Sequence, residues 1–236
     1  MYAVVLAGGK GERLRPFTED RPKPMVEIMG IPMLGYQLQW LQGQGVTDVI
    51  LSCGYRHEVI EAYFGDGERL GMRVKYAVER EPLGRGGALR LALGQVPEGE
   101  DLVIATNGDV ITNLKLSPLV AAHRARKMLA TIYLTPFVSP YGIVETDGDD
   151  RVTQFREKPE LPYWINGGIY VLSRAIREHL PERGDHETTT FPDLARGGKL
   201  GAFKSPAYWR GVDTIKDVTE VAAEMQRRLL SLFREG

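Results

Sequence analysis

Ala3-Val4-Val5-Leu6-Ala7-Gly8-Gly9-Lys10-Gly11-Glu12-Arg13-Leu14-Arg15-Pro16-Phe17-Thr18, followed after two acidic residues by Arg21-Pro22-Lys23-Pro24, is the stretch that decides the fold. An apolar run long enough for one buried strand enters a glycine loop. Glycine takes up positive φ and leaves room for backbone N–H groups to approach an anion, and Arg13 and Lys23 stand behind the loop as fixed cations. One glycine suffices for an ordinary strand-to-helix turn. Gly8, Gly9 and Gly11 with a Pro-Lys-Pro clamp read instead as a cradle for a polyphosphate, with Leu6, Ala7 and the three glycines as its backbone.

Spacing excludes two other phosphate loops. No window supplies G-x-x-x-x-G-K-[ST]. The dinucleotide fingerprint needs a small residue where this chain, counted from Gly9 and Gly11, has Leu14.

The surrounding chain alternates β-rich and amphipathic helical runs. Strands are expected at 3–7, 49–52, 73–77 and 102–106, and helices at 33–44, 56–64 and 87–93, with Leu34, Leu38 and Leu41 on one face of the first. This pattern predicts an α/β fold: a Rossmann-like, mostly parallel central sheet flanked by helices. Close-set strands at 129–134, 142–145, 152–157 and 168–172 predict a smaller antiparallel or mixed extension. With no linker or repeat, residues 1–236 read as a single domain, with a nucleotide half (about 1–128), a second half (about 129–213) and a terminal helix (214–233). That helix carries Val218, Val221, Met225 and Leu229 at helical spacing, so it either docks on its own sheet or supports a homodimer.

At 236 residues and 43% hydrophobic composition the chain can bury one sizeable core. A formal net charge of −1 argues against a nucleic-acid partner. There is no apolar run of membrane-spanning length and no charged leader, so no membrane association and a cytoplasmic location are expected. Cys53 alone makes neither a disulfide nor a zinc site and reads as a buried, inert thiol.

The run G-G-K-G-E-R-L-R-P-F-T-E-D-R-P-K-P resembles the signature of the sugar nucleotidyltransferases, the nucleotide-sugar pyrophosphorylases, with Glu12 in place of the usual Ser or Thr. The resemblance reaches from Tyr2 to about Val218 and includes relatives of the mannose/heptose-1-phosphate guanylyltransferase and glucose-1-phosphate thymidylyl- and cytidylyltransferase kinds. It implies an enzyme that joins a nucleoside triphosphate to a sugar 1-phosphate with Mg²⁺, giving a nucleotide sugar and pyrophosphate. Asn107-Gly108-Asp109, at a strand end, resembles a segment whose aspartate holds metal, and Asp213 in Trp209-Arg210-Gly211-Val212-Asp213-Thr214 is the second expected ligand or a helix cap. Glu157-Lys158-Pro159 resembles the motif whose lysine faces the sugar phosphate. Tyr141-Gly142 and Asn166-Gly167 resemble the segments that meet sugar hydroxyls. Glu79 to Gly87 resembles the base-binding stretch, in which Glu79, Pro82 and Gly84 match while Arg85 and Gly86 replace Thr and Ala. Arg13, Lys23, Asp109, Lys158 and Asp213 are thus the expected catalytic set.

The base and the sugar stay open at this point, with guanylyl, thymidylyl or uridylyl, and cytidylyl transfer all compatible. Glu79 suits guanine, whose N1–H and N2–H₂ donate, whereas the tail motif resembles the cytidylyl branch. Two other readings remain: a catalytically idle nucleotide-sugar-binding regulator, and transfer to a phosphorylated acceptor that is not a sugar.

Overall fold

The computed structural model describes residues 1–232, with side chains to residue 227. Among the described residues, thirteen strands and six α-helices follow in chain order. In the first half these are β1 (Tyr2–Leu6), β2 (Glu27–Ile28), β3 (Ile31–Pro32), α1 (Met33–Gly43), β4 (Asp48–Cys53), α2 (His57–Phe64), β5 (Arg73–Val78), α3 (Gly84–Leu93), β6 (Leu102–Asn107), β7 (Val110–Thr112) and α4 (Leu116–Arg126). There follow β8 (Ala130–Val138), β9 (Ile143–Thr146), β10 (Val152–Arg156), β11 (Glu160–Ser173), α5 (Thr190–Arg196), β12 (Leu200–Lys204), β13 (Trp209–Gly211) and α6 (Ile215–Leu232).

Seven strands form the central sheet in the order β12-β8-β11-β6-β1-β4-β5. Only β11 runs against the others; β1, β4, β5 and β6 pair in parallel, as does β12 with β8. The expected mostly parallel sheet is what forms, and the expected antiparallel extension is the β9–β10 hairpin together with the long β8–β11 pair.

Strand periodicity explains why the sheet is covered on both faces. In β1, Ala3 and Val5 face α1, α2 and α4 through Leu34, Leu38, Ile60 and Leu119, whereas Val4 faces α3 and α5 through Leu89, Leu93 and Leu194. A third cluster ties the loop residue Leu14 to Val212 and to Val221, Ala222 and Met225 of α6. Over its described side chains, the last helix turns these apolar residues inward. Leu229 and Phe233, included in the sequence expectation, lie outside the described side chains.

The first strands of the sheet are locked by a charge pair at their entrance. Asp48 and Arg73 sit opposite each other in the β4–β5 register and join through two hydrogen bonds of 2.6 Å. Burial alone would raise the Asp48 carboxyl, but the Arg73 guanidinium and the Thr47 hydroxyl hold it below the usual range. A depressed carboxyl contributes stability above its unfolded value and loses it as pH falls through the folded one. We expect Asp48→Asn to lower Tm at pH 7 and to flatten the fall of Tm below about pH 4, read by thermal melts across pH 2–7.

Candidate active site

Strand order reverses around β1, whose neighbours β4 and β6 lead to opposite sides of the sheet. The crevice at the carboxyl ends of such strands is where open α/β sheets hold ligands. Leu6 and Asn107 are partners at those ends, and Gly108 N–H donates to the Leu6 carbonyl at 2.9 Å. A Cβ on Gly108 would come within 3.0 Å of that same oxygen, so the turn accepts glycine alone without shifting. Gln37 of α1 pins the turn from beneath, donating to the Asn107 and Val110 carbonyls at 3.1 and 2.6 Å.

The glycine loop is closed from the other side. Gly11 has φ +69°, and a Cβ there would lie 2.7 Å from the Cβ of Lys23. Thr18 Oγ1 donates to the Gly11 carbonyl at 2.8 Å, and Lys23 N–H donates to the Gly9 carbonyl at 3.1 Å. These bonds draw Pro22-Lys23-Pro24 against the loop, so the lysine side chain has one direction left, into the crevice. Glu12 is exposed.

There the Lys23 ammonium donates to Asp109 Oδ2 and to Asp213 Oδ1, each at 2.6 Å. Arg13 donates to the same Asp213 oxygen at 2.8 Å. Burial would lower the Lys23 ammonium, yet the two carboxylates outweigh it and lift it above the ordinary lysine value. It is fully charged at neutral pH. Two carboxylates that converge on one cation with hydrogen-bond geometry fit what a hard divalent ion asks of a protein.

Asp213 is free for this because the cap of α6 is built by its neighbours. Asp217 accepts from the N–H groups of Asp213 and Thr214 at 3.0 and 2.8 Å, and Asp217 N–H donates back to Thr214 Oγ1 at 3.3 Å. The sequence allowed Asp213 to be the cap; Thr214 and Asp217 take that role.

A cavity of about 320 Å³ adjoins the cluster, lined by Leu6, Gly8, Gly9, Lys23, Glu79, Pro82, Gly84, Arg85, Asn107 and Asp109 among others. Glu79 is half-buried; Oε2 accepts from Leu83 N–H at 2.8 Å. A Cβ on Gly8 would stand 3.0 Å from its other oxygen. Burial pushes the Glu79 carboxyl up, against the Leu83 N–H. A larger hollow, about 640 Å³, lies behind the loop around Phe17, Arg21 and Val218 and contains none of these residues. Ala7 is fully buried at the loop entrance.

Arg13, Lys23, Asp109 and Asp213 meet as expected, while Lys158 stands apart. It is exposed, with φ +45°, and its charge acts on Glu220, which Arg210 also holds below the usual carboxylate range. Tyr141 is 76% exposed, and a Cβ on Gly142 would meet Phe155 at 2.7 Å and Glu157 at 3.0 Å. Gly167 packs on Tyr133, and its carbonyl accepts from Trp209 Nε1 at 2.7 Å. Asn166 donates to Glu187 and Tyr170 at 2.8 and 3.0 Å. Gln37, Asp185 and Glu187 carry no motif and were not anticipated; the acidic pair was discoverable only through Arg85, a cation that had no partner in the sequence. Cys53 is buried, its thiol pushed up to about 12 by desolvation, as expected of an inert group.

The family model described as nucleotidyl transferase matches residues 2–228. The chain belongs to this family. The mannose-1-phosphate guanylyltransferase of Mycobacterium tuberculosis is 37% identical to this nucleotidyltransferase over 95% of the chain, which spans 64% of that relative's length. The D-glycero-alpha-D-manno-heptose 1-phosphate guanylyltransferase of Aneurinibacillus thermoaerophilus is 36% identical, with 96% of this chain and 99% of that one covered. The crystal structure of HddC from Yersinia pseudotuberculosis superposes with TM-score 0.76 at 30% identity, covering 95% of this chain and 99% of that one. HddC has also been solved complexed with GMP-PN, at TM-score 0.75.

Because Gly11 needs both its positive φ and the space that Lys23 fills, Gly11→Ala should cost about 1–3 kcal/mol and displace the lysine. Thermal melts with and without nucleoside triphosphate should show a lower Tm and a smaller ligand-induced rise than in the parent protein.

Proposed function

We propose that this nucleotidyltransferase joins GTP to a sugar 1-phosphate of the manno type, releasing pyrophosphate. The observation that carries the reading is the convergence of Lys23 and Arg13 on Asp109 and Asp213 beside a glycine cradle. The sugar phosphate is already an anion, so no protein base is needed; the barrier is repulsion and orientation. Its oxygen forms the new bond to the α-phosphorus as the bond to the β-phosphate oxygen breaks and pyrophosphate leaves.

The residues divide the work. Backbone N–H groups of Gly8, Gly9 and Gly11 receive phosphate oxygens. Lys23 and Arg13 move from the carboxylates to the β- and γ-phosphates, stabilising the departing pyrophosphate. Asp109 and Asp213 would hold Mg²⁺, which supplies charge neutralisation and polarises the phosphate. Glu79, with one oxygen on Leu83, keeps the other for guanine N1–H and N2–H₂. Asn107, Gly108, Pro82 and Gly84 shape the nucleotide wall. Lys158, with Tyr141, Gly142, Glu157, Asn166 and Gly167, forms the sugar side, the lysine meeting the sugar phosphate.

Guanylyl rather than cytidylyl transfer is supported by the guanylyltransferase names of the relatives and by the Glu79 carboxylate in the cavity wall. The match to the heptose relative, which covers 96% of this chain and 99% of that one, supports reading the nucleotide half and the sugar half as parts of one domain. The reading places it in the cytoplasm, where nucleoside triphosphates are. Among the described residues no helix is long and apolar enough to cross a membrane.

A matrix of nucleoside triphosphates against sugar 1-phosphates, followed by pyrophosphate release, tests the reading. GTP with mannose or manno-heptose 1-phosphate should give the highest kcat/KM; a preference for CTP or UTP, or no release with any pair, overturns it. Lys23→Ala and Asp109→Asn should each lower kcat by about 10²–10³-fold while leaving the folded structure intact by circular dichroism.

A further inference from the structure

Arg85 replaces a threonine of the family stretch, and its surroundings give it work. It sits in the first turn of α3 and lines the nucleotide cavity. Its Nε donates to Asp185 Oδ2 at 2.8 Å, Nη2 meets the same oxygen, and Nη2 also reaches Glu187 Oε2 at 2.8 Å. The second oxygen of Glu187 accepts from Asn166 Nδ2 at 2.8 Å and from the Tyr170 hydroxyl at 2.9 Å. Asn166 also donates to Tyr170 and accepts from Gly168 N–H at 2.9 Å.

This arrangement changes what the sugar side can offer. Both N–H groups of Asn166 are spent within the chain, so the amide has no donor left for a ligand. Glu187 and Asp185 keep unused lone pairs and stay partly exposed, at 24% and 29% of their side chains. Carboxylates with spare acceptor positions recognise hydroxyl donors.

The loop that carries these acids does not need Arg85 to stay in place. Gly86 N–H donates to the Gly184 carbonyl at 2.8 Å, and Gly184 N–H donates to the Leu83 carbonyl at 2.8 Å, a reciprocal backbone staple. His186, fully buried, packs edge-on against Tyr170 and Phe191 and anchors the loop a second time. Arg85 is left to set the direction of the Glu187 carboxylate. The path then returns to the cavity, because a Cβ on Gly168 would lie 2.6 Å from the Asn107 side chain.

Resting on the guanylyl-transfer reading, we infer that Arg85 is a positioning residue for the acceptor: it holds the Glu187 carboxylate turned so that its free lone pairs accept hydroxyls of a sugar 1-phosphate whose ring is uncharged and polyhydroxylated. Glu187 touches the sugar; Arg85 acts through it.

Steady-state kinetics of the full chain with GTP and its best acceptor test this, using Arg85→Thr, Arg85→Lys, Glu187→Gln and the double variant Arg85→Thr/Glu187→Gln. Arg85→Thr and Glu187→Gln should each raise KM for the sugar phosphate about tenfold or more, with KM for GTP within about twofold. Arg85→Lys should recover part of the loss, since it restores the charge without the fork, and the double variant should be no worse than Glu187→Gln alone. Additive losses, an equal rise in both KM values, or a lower Tm with no change in acceptor KM overturn the inference in favour of a structural clamp. The two readings fail separately: a parent protein that transfers nucleotide to no sugar phosphate overturns guanylyl transfer, whereas an active parent with an unchanged Arg85→Thr overturns only the role of Arg85.

Discussion

One ammonium group between two carboxylates organises this molecule. Lys23 bonds to Asp109, 86 residues later, and to Asp213, 190 residues later. To satisfy it, the glycine loop, the β6 turn and the entrance to α6 must arrive at the same point. Left alone, the two aspartates would repel each other. With Lys23 and Arg13 in place the free site is close to neutral, and the incoming triphosphate finds cations that are already aimed. The price is that these cations are engaged before the ligand comes, so binding exchanges one set of ion pairs for another rather than creating charge contacts from nothing.

The fold was legible where a single physical pattern governs a segment. The runs of β1, β4 and β6 are largely buried because both faces of the sheet are covered there, the edge strand β5 alternates with Arg73 and Lys75 exposed, and α1 announces itself by leucines at helical spacing. Helix α4 was missed for a physical reason: Pro118 and a basic C-terminal half hide a short apolar stripe of Leu116, Leu119 and the partly buried Val120, and a further buried position is filled by His123, bonded to Thr131 and Ser173. β12 and β13 were missed because each is a short strand whose identity comes from its partner, β8 or β7, rather than from its own residues.

The candidate site divides along a similar line. Residues held by the glycine loop and strand ends could be read in order, since backbone geometry forces their side chains into the crevice. Residues that act through tertiary pairing could not: Gln37 looks like any helical glutamine until the β6 turn is laid over it, and Glu187 lies in an acidic and threonine-rich run whose sequence alone gives no direction. Lys158 shows the converse. Its motif is clear, yet it stands at the solvent-exposed end of β10 and β11, in the part of the chain where side chains are least buried.

The Thr214–Asp217 cap has a mechanical meaning. The carboxylate of Asp217 grips the main chain of Asp213, and the helix it starts is keyed into the interior by Val221. The oxygen that faces Lys23 is therefore bolted to the first turn of a long rod. A small tilt of that rod would move one jaw of the cation clamp while the other, on β6, stayed still, so anything that grips its far end gains leverage over the chemistry without entering the cleft.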